Sequence, residues 1–261
     1  MNKGISFYYG YEMNPERSVK LIKEAGFNCV ITSTDKKYKY QNGSFKGQIK
    51  LLKKYNLTPS SLHSRYDSNK SKRLWEKGFK GYVIYKKLLN DVKLAHKYGF
   101  NCVVVHLYGK PSEIGIKRLE KVLKTCKKFN VPLAIENIRN RECFTAVFEN
   151  IKSEYLKFCY DIGHNNAFDK DFDYLSKYGD KLVCLHLHDN MGIKDDHALN
   201  RYGNIDWKKF AKKLKEINYK GNLDYEILMN VRGQETAEEA LKIVMEQAKE
   251  LEQLINENKR Y

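Results

Sequence analysis

The feature that most constrains this chain is a strict alternation of short apolar segments with longer segments that carry apolar residues at helical spacing. Strands are predicted at Gly4–Tyr9, Asn28–Ser33, Thr58–His63, Asn101–Leu107, Pro132–Ile138, Leu156–Asp161, Leu182–Asp189 and Asn222–Leu228. Helices are predicted at Pro15–Ala25, Phe45–Tyr55, Tyr82–Tyr98, Ile114–Phe129, Glu142–Ile151, Phe172–Tyr178, Trp207–Ile217 and Glu235–Glu257. Such alternation predicts a parallel sheet with right-handed crossovers.

The number of repeating units narrows the fold further. Eight strand–helix units in 261 residues match a closed (β/α)₈ TIM barrel, which takes roughly 250 residues. A doubly wound open sheet is the alternative, but the Gly-rich phosphate loop expected after its first strand is missing. No linker rich in Pro, Gly or Ser divides the chain. We therefore predict an α/β protein with a single barrel domain over residues 1–261.

The segment Lys181–Trp207 concentrates the histidines of the chain, because it holds three of the seven: His186, His188 and His197. Side chains alternate along a strand, so His186 and His188 share one face, and Leu185 and Leu187 occupy the other. Two imidazoles on one side of an apolar strand, followed by Asp195 and His197, suggest a metal site. The alternative is two core histidines and a solvated acidic loop.

Further polar residues fall at the carboxyl ends of the predicted strands, where barrel enzymes carry their chemistry. They are His63, His106, Glu136, Asp161, His164, His186, His188, Asp195, His197 and Glu226. Side chains alternate between the two faces of a strand, and this alternation predicts that Glu136, His106 and Glu226 point into the barrel. Ionisable groups inside a barrel are costly unless they are paired or bound to metal. Carboxylate and imidazole ligands together favour Zn, Mn, Co or Fe over Ca.

Four motifs resemble those of the xylose isomerase-like barrels: LAIENI, YDIGH, HLHDN…DDH…GNIDW and LDYEI. The resemblance covers essentially the whole chain and is most specific from Glu136 onward. That superfamily holds sugar and sugar-phosphate isomerases and epimerases, and the type IV (family 2) AP endonucleases. In the isomerase branch, the resemblance implies one divalent metal held by Glu136, Asp161, His186 and Glu226, with His164 on substrate oxygens.

The sequence is therefore expected to encode a metal-dependent isomerase or epimerase of carbohydrate metabolism, acting on a sugar or sugar phosphate. A bound Mn, Co, Mg or Zn ion would stabilise an enediolate. Glu136 and Glu226 would act as general base and general acid. The expected substrate-binding residues are His63, His106, His164, His188 and Arg201. For His188, an equally weighted alternative is a hydrogen-bonded partner of His186 or Asp161.

The endonuclease branch implies three zinc ions instead. The first ion would be held by His63, His106 and Glu136. The second would be held by Glu136, Asp161, His186 and Glu226. The third would be held by His164, Asp195 and His197. The chain departs from that branch with Asp-Ile-Gly-His in place of Asp-Thr-Cys-His, and with His-Leu-His-Asp in place of His-Leu-Asn-Asp. Arg201-Tyr202-Gly203 replaces its Gly-x-Gly. A lyase acting on a polyol and a non-catalytic sugar-binding barrel are further alternatives.

The charge and the apolar pattern of the sequence indicate which partners and which cellular compartment to expect. The net charge of +16 comes mostly from Lys, spread over helical segments such as Lys117–Lys128 and Lys208–Lys215, so a nucleic-acid partner is expected only in the endonuclease alternative. No apolar run reaches the roughly 18 residues of a membrane span, and no signal peptide is evident. A cytoplasmic protein, compatible with a homo-oligomer, is predicted. The six cysteines show no CxxC spacing, which indicates reduced packing residues.

Overall fold

The computed structural model describes residues 1–35, 43–228 and 235–257. Eight parallel strands form one sheet in the order β7-β6-β5-β4-β3-β2-β1-β8. They are β1 (Lys3–Ser6), β2 (Cys29–Ser33), β3 (Thr58–His63), β4 (Cys102–Val105), β5 (Leu133–Glu136), β6 (Leu156–Asp161), β7 (Leu182–His186) and β8 (Leu223–Tyr225). A bridge between Leu187 and Tyr225 joins the two ends of this order and closes the predicted (β/α)₈ barrel.

The helices surround the strands. They are α1 (Pro15–Glu24), α2 (Phe45–Lys54), α3 (Ser68–Ser71), α4 (Phe79–Tyr98), α5 (Glu113–Phe129), α6 (Arg141–Asn150), α7 (Ile162–Phe168), α8 (Tyr174–Tyr178), α9 (Trp207–Glu216) and α10 (Ala237–Asn256). The predicted caps Asn14 and Asp206 both accept a backbone N–H in the first turn of their helices. In the part of the chain that the structure describes, no helix is long and apolar enough to cross a bilayer.

Within the described residues, two α-helices were not predicted from the sequence. The short helix α3 lies in a segment that was expected to be a polar loop, and Asp67 caps it. Helix α7 begins directly after β6, where Asp161 accepts the backbone N–H of His164 at 2.6 Å. Both helices start at an aspartate whose side chain satisfies a free N–H group of the first turn. Since α7 leaves the barrel at Asp161, it begins at the carboxyl end of the strands.

Successive residues of a strand face opposite sides of the sheet, so the strands contribute to two separate apolar regions. Outward-facing residues such as Leu133, Ile135 and Leu185 join the main core between sheet and helices. The inward face of β4 to β7 holds a separate buried cluster of Cys102, Val104, Ala134, Cys159 and Cys184. All six cysteines are free and buried. The inner cluster forms a floor beneath the polar residues at the carboxyl ends of the strands, because each strand carries its polar residue two or four positions further on.

Candidate metal centre and active site

Glu136, the last residue of β5, is surrounded by imidazoles. Its Oε2 lies 3.0 Å from His106 Nε2, 3.2 Å from His186 Nδ1 and 3.3 Å from His63 Nε2. Its Oε1 lies 3.1 Å from His164 Nδ1. The carboxylate is 1% exposed, so these four rings replace water around it. Four histidines therefore meet at one carboxylate: two lie on β3 and β7, one directly follows β4, and one lies on α7.

Glu226 approaches the same centre from beyond β8. Its Oε2 lies 3.0 Å from His186 Nδ1, and its backbone N–H donates to the carbonyl of Leu187 at 3.0 Å. Asp161, His186 and Glu226 offer ligand atoms within 4.8 Å of one another. Glu136 lies 3.2 Å from the same nitrogen of His186, so the four residues expected to hold one divalent ion are neighbours.

Asp161 has a second role as an anchor within the site. Its carboxylate is fully buried, caps α7 and lies 3.1 Å from His188 Nε2. Gly163 makes room for this contact, because a Cβ there would come within 1.9 Å of His188 Cε1. His188 is buried and does not line the cavity of the site. This position favours the interpretation of His188 as a partner of Asp161 over direct substrate binding.

A second group of ligand atoms lies beside the first. Asp195 Oδ2 is 3.1 Å from His197 Nε2 and 3.2 Å from His164 Nε2, and Asp195 Oδ1 is 3.5 Å from His188 Nε2. His197 adopts a left-handed backbone conformation with φ of 49°, which is uncommon for a non-glycine residue. Its Nδ1 donates to the carbonyl of Glu226 at 2.7 Å, so the loop after β7 is tied to the strand that carries Glu226.

The charges of the site are coupled. Burial opposes ionisation of Glu136, but the imidazoles of His106 and His186 outweigh it and hold the pKa of its carboxyl well below its usual range. Burial likewise disfavours the charged form of His186, yet the carboxylates of Glu136 and Glu226 raise its pKa well above the usual value. Carboxylates and imidazoles therefore stabilise each other here, and a metal ion would take the place of the imidazole protons.

Several of these buried atoms lie close together without forming aligned hydrogen bonds. Among the described residues, no hydrogen-bond partner is found for His106 Nε2, both oxygens of Glu136, both ring nitrogens of His186 and Asp195 Oδ1. Leaving one such buried group unsatisfied costs about 1–3 kcal/mol. The mixed oxygen and nitrogen donor set suits a divalent transition metal. The residues present therefore fit a metal ion, which would satisfy the orphaned atoms.

A cavity of about 350 Å³ opens over this centre. It is lined by His63, His106, Glu136, His164, Asp195, His197 and Glu226, together with Ser6, Phe7, Tyr8, Ile31, Thr32, Ser33, Tyr66, Tyr108 and Leu228. Sequence reasoning missed the hydroxyl and aromatic residues of this lining. Tyr108 follows β4 by a few residues, and its hydroxyl lies 3.3 Å from His106 Nδ1. Its position just after a strand end is the signal that could have identified it.

Arg201, a predicted substrate-binding residue, lies away from the metal centre and does not line the cavity. It occupies a turn at Asn200–Tyr202 and pairs with Glu235, while its guanidinium stacks on the ring of Tyr202. Glu235 and Tyr202 also hydrogen bond to each other at 2.8 Å. The structure thus brings the expected histidines and carboxylates together. Arg201 instead lies in a surface groove lined by Tyr202 of the same turn, by Glu235 and by residues of α10.

Comparison with known proteins agrees with this architecture. Uncharacterized protein y4fM of Sinorhizobium fredii is 25% identical over 258 residues, which cover 84% of this chain and 83% of that protein. A D-tagatose 3-epimerase-like protein superposes with a TM-score of 0.79 at 19% identity, covering 98% of both chains. The IOLI protein with a bound zinc atom superposes with a TM-score of 0.73 at 15% identity, also over 98% of both chains. At these identities the two structures show a shared fold. The sequence model of one family matches residues 19–248, and the chain belongs to that family, the xylose isomerase-like TIM barrels.

Proposed function

We propose that the protein is a divalent-metal-dependent sugar isomerase or epimerase. The observation that carries this proposal is the placement of two carboxylates, Glu136 and Glu226, against the same ring nitrogen of His186 at the floor of the cavity. They come from β5 and from beyond β8, so they approach the cavity from different sides of the barrel. Two carboxylates in this arrangement can serve a bound sugar as general base and general acid.

The residues that would hold the metal are Glu136, Asp161, His186 and Glu226. When bound, a Mn, Co, Mg or Zn ion polarises a substrate carbonyl and its neighbouring hydroxyl, which acidifies the adjoining C–H bond. Glu226, 28% exposed, opens further into the cavity than Glu136, which is 1% exposed. One carboxylate removes the carbon-bound proton and the other returns a proton to the resulting enediolate. Return to the opposite face of the same carbon gives an epimer. Return to the neighbouring carbon, with the hydroxyl proton passing to the former carbonyl oxygen, gives an isomer.

The histidines that line the cavity supply hydrogen bonds to substrate oxygens. His63 Nδ1 donates to the carbonyl of Ser64 at 2.8 Å, and His164 Nδ1 lies 3.0 Å from the carbonyl of Asn137. These contacts fix the ring orientations, so that Nε2 of His63 faces the centre. The aromatic rings of Tyr66 and Tyr108 limit access of water. A volume of about 350 Å³ lies within the usual range for small-molecule sites.

Two comparisons support this proposal. The D-tagatose 3-epimerase-like protein shares the fold over nearly the whole chain, and its name describes a sugar epimerase. The IOLI structure contains zinc, which agrees with a metal-binding role for the centre. A sugar or sugar phosphate is therefore the proposed partner, and His63, His106 and His164 are the proposed substrate-binding residues.

Zinc-dependent cleavage of abasic DNA is the second candidate, because one observation favours it. Around the cavity lie the further ligands that three zinc ions would require: His63, His106, His164, Asp195 and His197. The charges around the site favour a sugar instead. Three cations near the rim are paired internally: Lys70 with Asp67 at 3.2 Å, Arg141 with Asp169 at 2.9 Å, and Arg201 with Glu235. Among the described residues, no Lys or Arg lines the cavity.

Proton exchange tests the proposal whichever product forms. The purified protein is incubated in deuterium oxide with Mn, Co, Mg or Zn and a panel of ketoses, aldoses and their phosphates, and substrate C–H signals are followed by NMR. We expect loss of the signal next to the carbonyl of one substrate. Glu136→Gln and Glu226→Gln should each lower the exchange rate by about 10²- to 10⁴-fold, the usual contribution of a general acid or base.

The matched control is Glu142→Gln, on the first turn of α6 and outside the cavity. It should leave the exchange rate unchanged. Retention of most exchange by either Glu136→Gln or Glu226→Gln would contradict the assigned acid–base pair.

A further inference from the structure

A group of thiols lies directly below the carboxylate and imidazole centre. Cys102 on β4, Cys159 on β6 and Cys184 on β7 all face the inside of the barrel, and each is at most 3% exposed. Cys159 and Cys184 are register partners on neighbouring strands. Together with Val104 and Ala134 they form a cluster separate from the main core. The barrel floor thus carries three sulfurs at positions where aliphatic side chains would suffice for packing.

His186 connects this layer with the centre above it. The sulfurs of Cys159 and Cys184 and a ring nitrogen of His186 lie within 4.8 Å of one another. Both ring nitrogens of His186 are buried, and neither has a hydrogen-bond partner within the described part of the chain. The proposed divalent site needs only one of them. A fully buried imidazole with an unused nitrogen therefore lies beside two thiols, which are soft ligands.

We propose that Cys159, Cys184 and His186, with Cys102 beside them, form a binding site for a thiophilic monovalent cation of the Cu(I) class. Thiolates are soft ligands that favour Cu(I), and imidazole also binds copper, whereas the carboxylates above favour harder divalent ions. Binding releases the thiol protons, since the thiolate is the ligand. The two sites differ in ligand type but share His186, so a metal in the lower site lowers the affinity of the upper site for a divalent ion.

A Cu(I) competition experiment tests this site on the intact protein. Metal-free protein is titrated anaerobically against a coloured Cu(I)–bicinchoninate complex, and the loss of colour reports Cu(I) transferred to the protein. We expect one equivalent to transfer, with sulfur ligands in the X-ray absorption spectrum. Cys184→Ala and Cys159→Ala should each weaken binding by more than about tenfold, the lower end of the effect of removing a partner in a metal site.

The chain offers matched controls in Cys126 and Cys143, which are buried thiols on α5 and α6, outside the inner cluster. Cys126→Ala and Cys143→Ala should bind Cu(I) as the wild type does. Circular dichroism and Mn binding at the upper site establish that Cys184→Ala is folded, and Cys184→Ser provides a second variant if it is not. Absence of Cu(I) uptake by the wild type, or equal uptake by the Cys159 and Cys184 variants, would overturn the proposal.

Discussion

Substitution of Gly163 by alanine tests the contact that positions Asp161. Gly163 is the second residue of α7, and its backbone lies outside the left-handed region, so alanine suits the chain conformation there. The new Cβ would meet His188 at 1.9 Å from Cε1 and 2.4 Å from Nδ1. His188 is fully buried and held by Asp161 at 3.1 Å, so its ring has no free space into which it can move.

The expected cost has two parts. Overpacking of a buried site costs typically about 1–3 kcal/mol. Displacement of His188 from Asp161 weakens a hydrogen bond to a charged group, worth about 1.5–3 kcal/mol. Gly163→Ala should therefore lower the free energy of unfolding by roughly 2.5–6 kcal/mol. This loss should be seen as a lower midpoint in urea and a lower melting temperature. It should also weaken divalent metal binding, because Asp161 loses the partner that orients its carboxylate.

A second substitution should reverse the effect. A smaller side chain at position 188 would leave room for the new Cβ. In the Gly163→Ala background, His188→Asn should recover a large part of the lost stability, although alone it removes packing and should destabilise. Gly47→Ala is the matched control, in the first turn of α2, where a Cβ meets only Ser44 Oγ at 3.2 Å. Gly163→Ala with wild-type stability, or no recovery in the double variant, would refute this reasoning.

Two further predictions address the barrel floor and the surface charge. Gly4→Ala places a Cβ 1.9 Å from Asp224 Oδ1 inside the barrel, so thermal unfolding should show a loss of about 1–3 kcal/mol. Duplex DNA should bind only weakly and lose its affinity near physiological salt, measured by fluorescence anisotropy, since internal ion pairs occupy the rim cations Lys70, Arg141 and Arg201. Incision of an abasic duplex, abolished in Asp161→Asn, would instead favour the endonuclease.

The inward-pointing residues of the metal centre could be predicted because the alternation of side chains depends only on the local strand sequence. Once β5 and β7 were recognised, alternation alone turned Glu136 and His186 inward, and the closed barrel brought them within 3.2 Å. The closing strand placed Glu226 beside them by the same rule. The direction of a strand side chain, into the barrel or out of it, could therefore be predicted from the sequence.

The remaining features depend on tertiary contacts that no local pattern encodes. Alternation along the strand predicted that His188 shares a face with His186. Its burial against Asp161, however, follows from the absence of a side chain at Gly163. Arg201 was expected to bind substrate, and its pairing with Glu235 joins residues far apart in the chain. The aromatic lining residue Tyr108 lies in a loop, where side-chain direction has no fixed period.

The metal content of the protein tests the central claim most directly. Protein purified without added metal is assayed by elemental analysis as wild type, Asp161→Asn and His106→Ala. A site formed by Glu136, Asp161, His186 and Glu226 predicts about one equivalent of divalent metal in the wild type and in His106→Ala, and its loss in Asp161→Asn. Three equivalents in the wild type, with one lost in His106→Ala, would contradict the single-metal site.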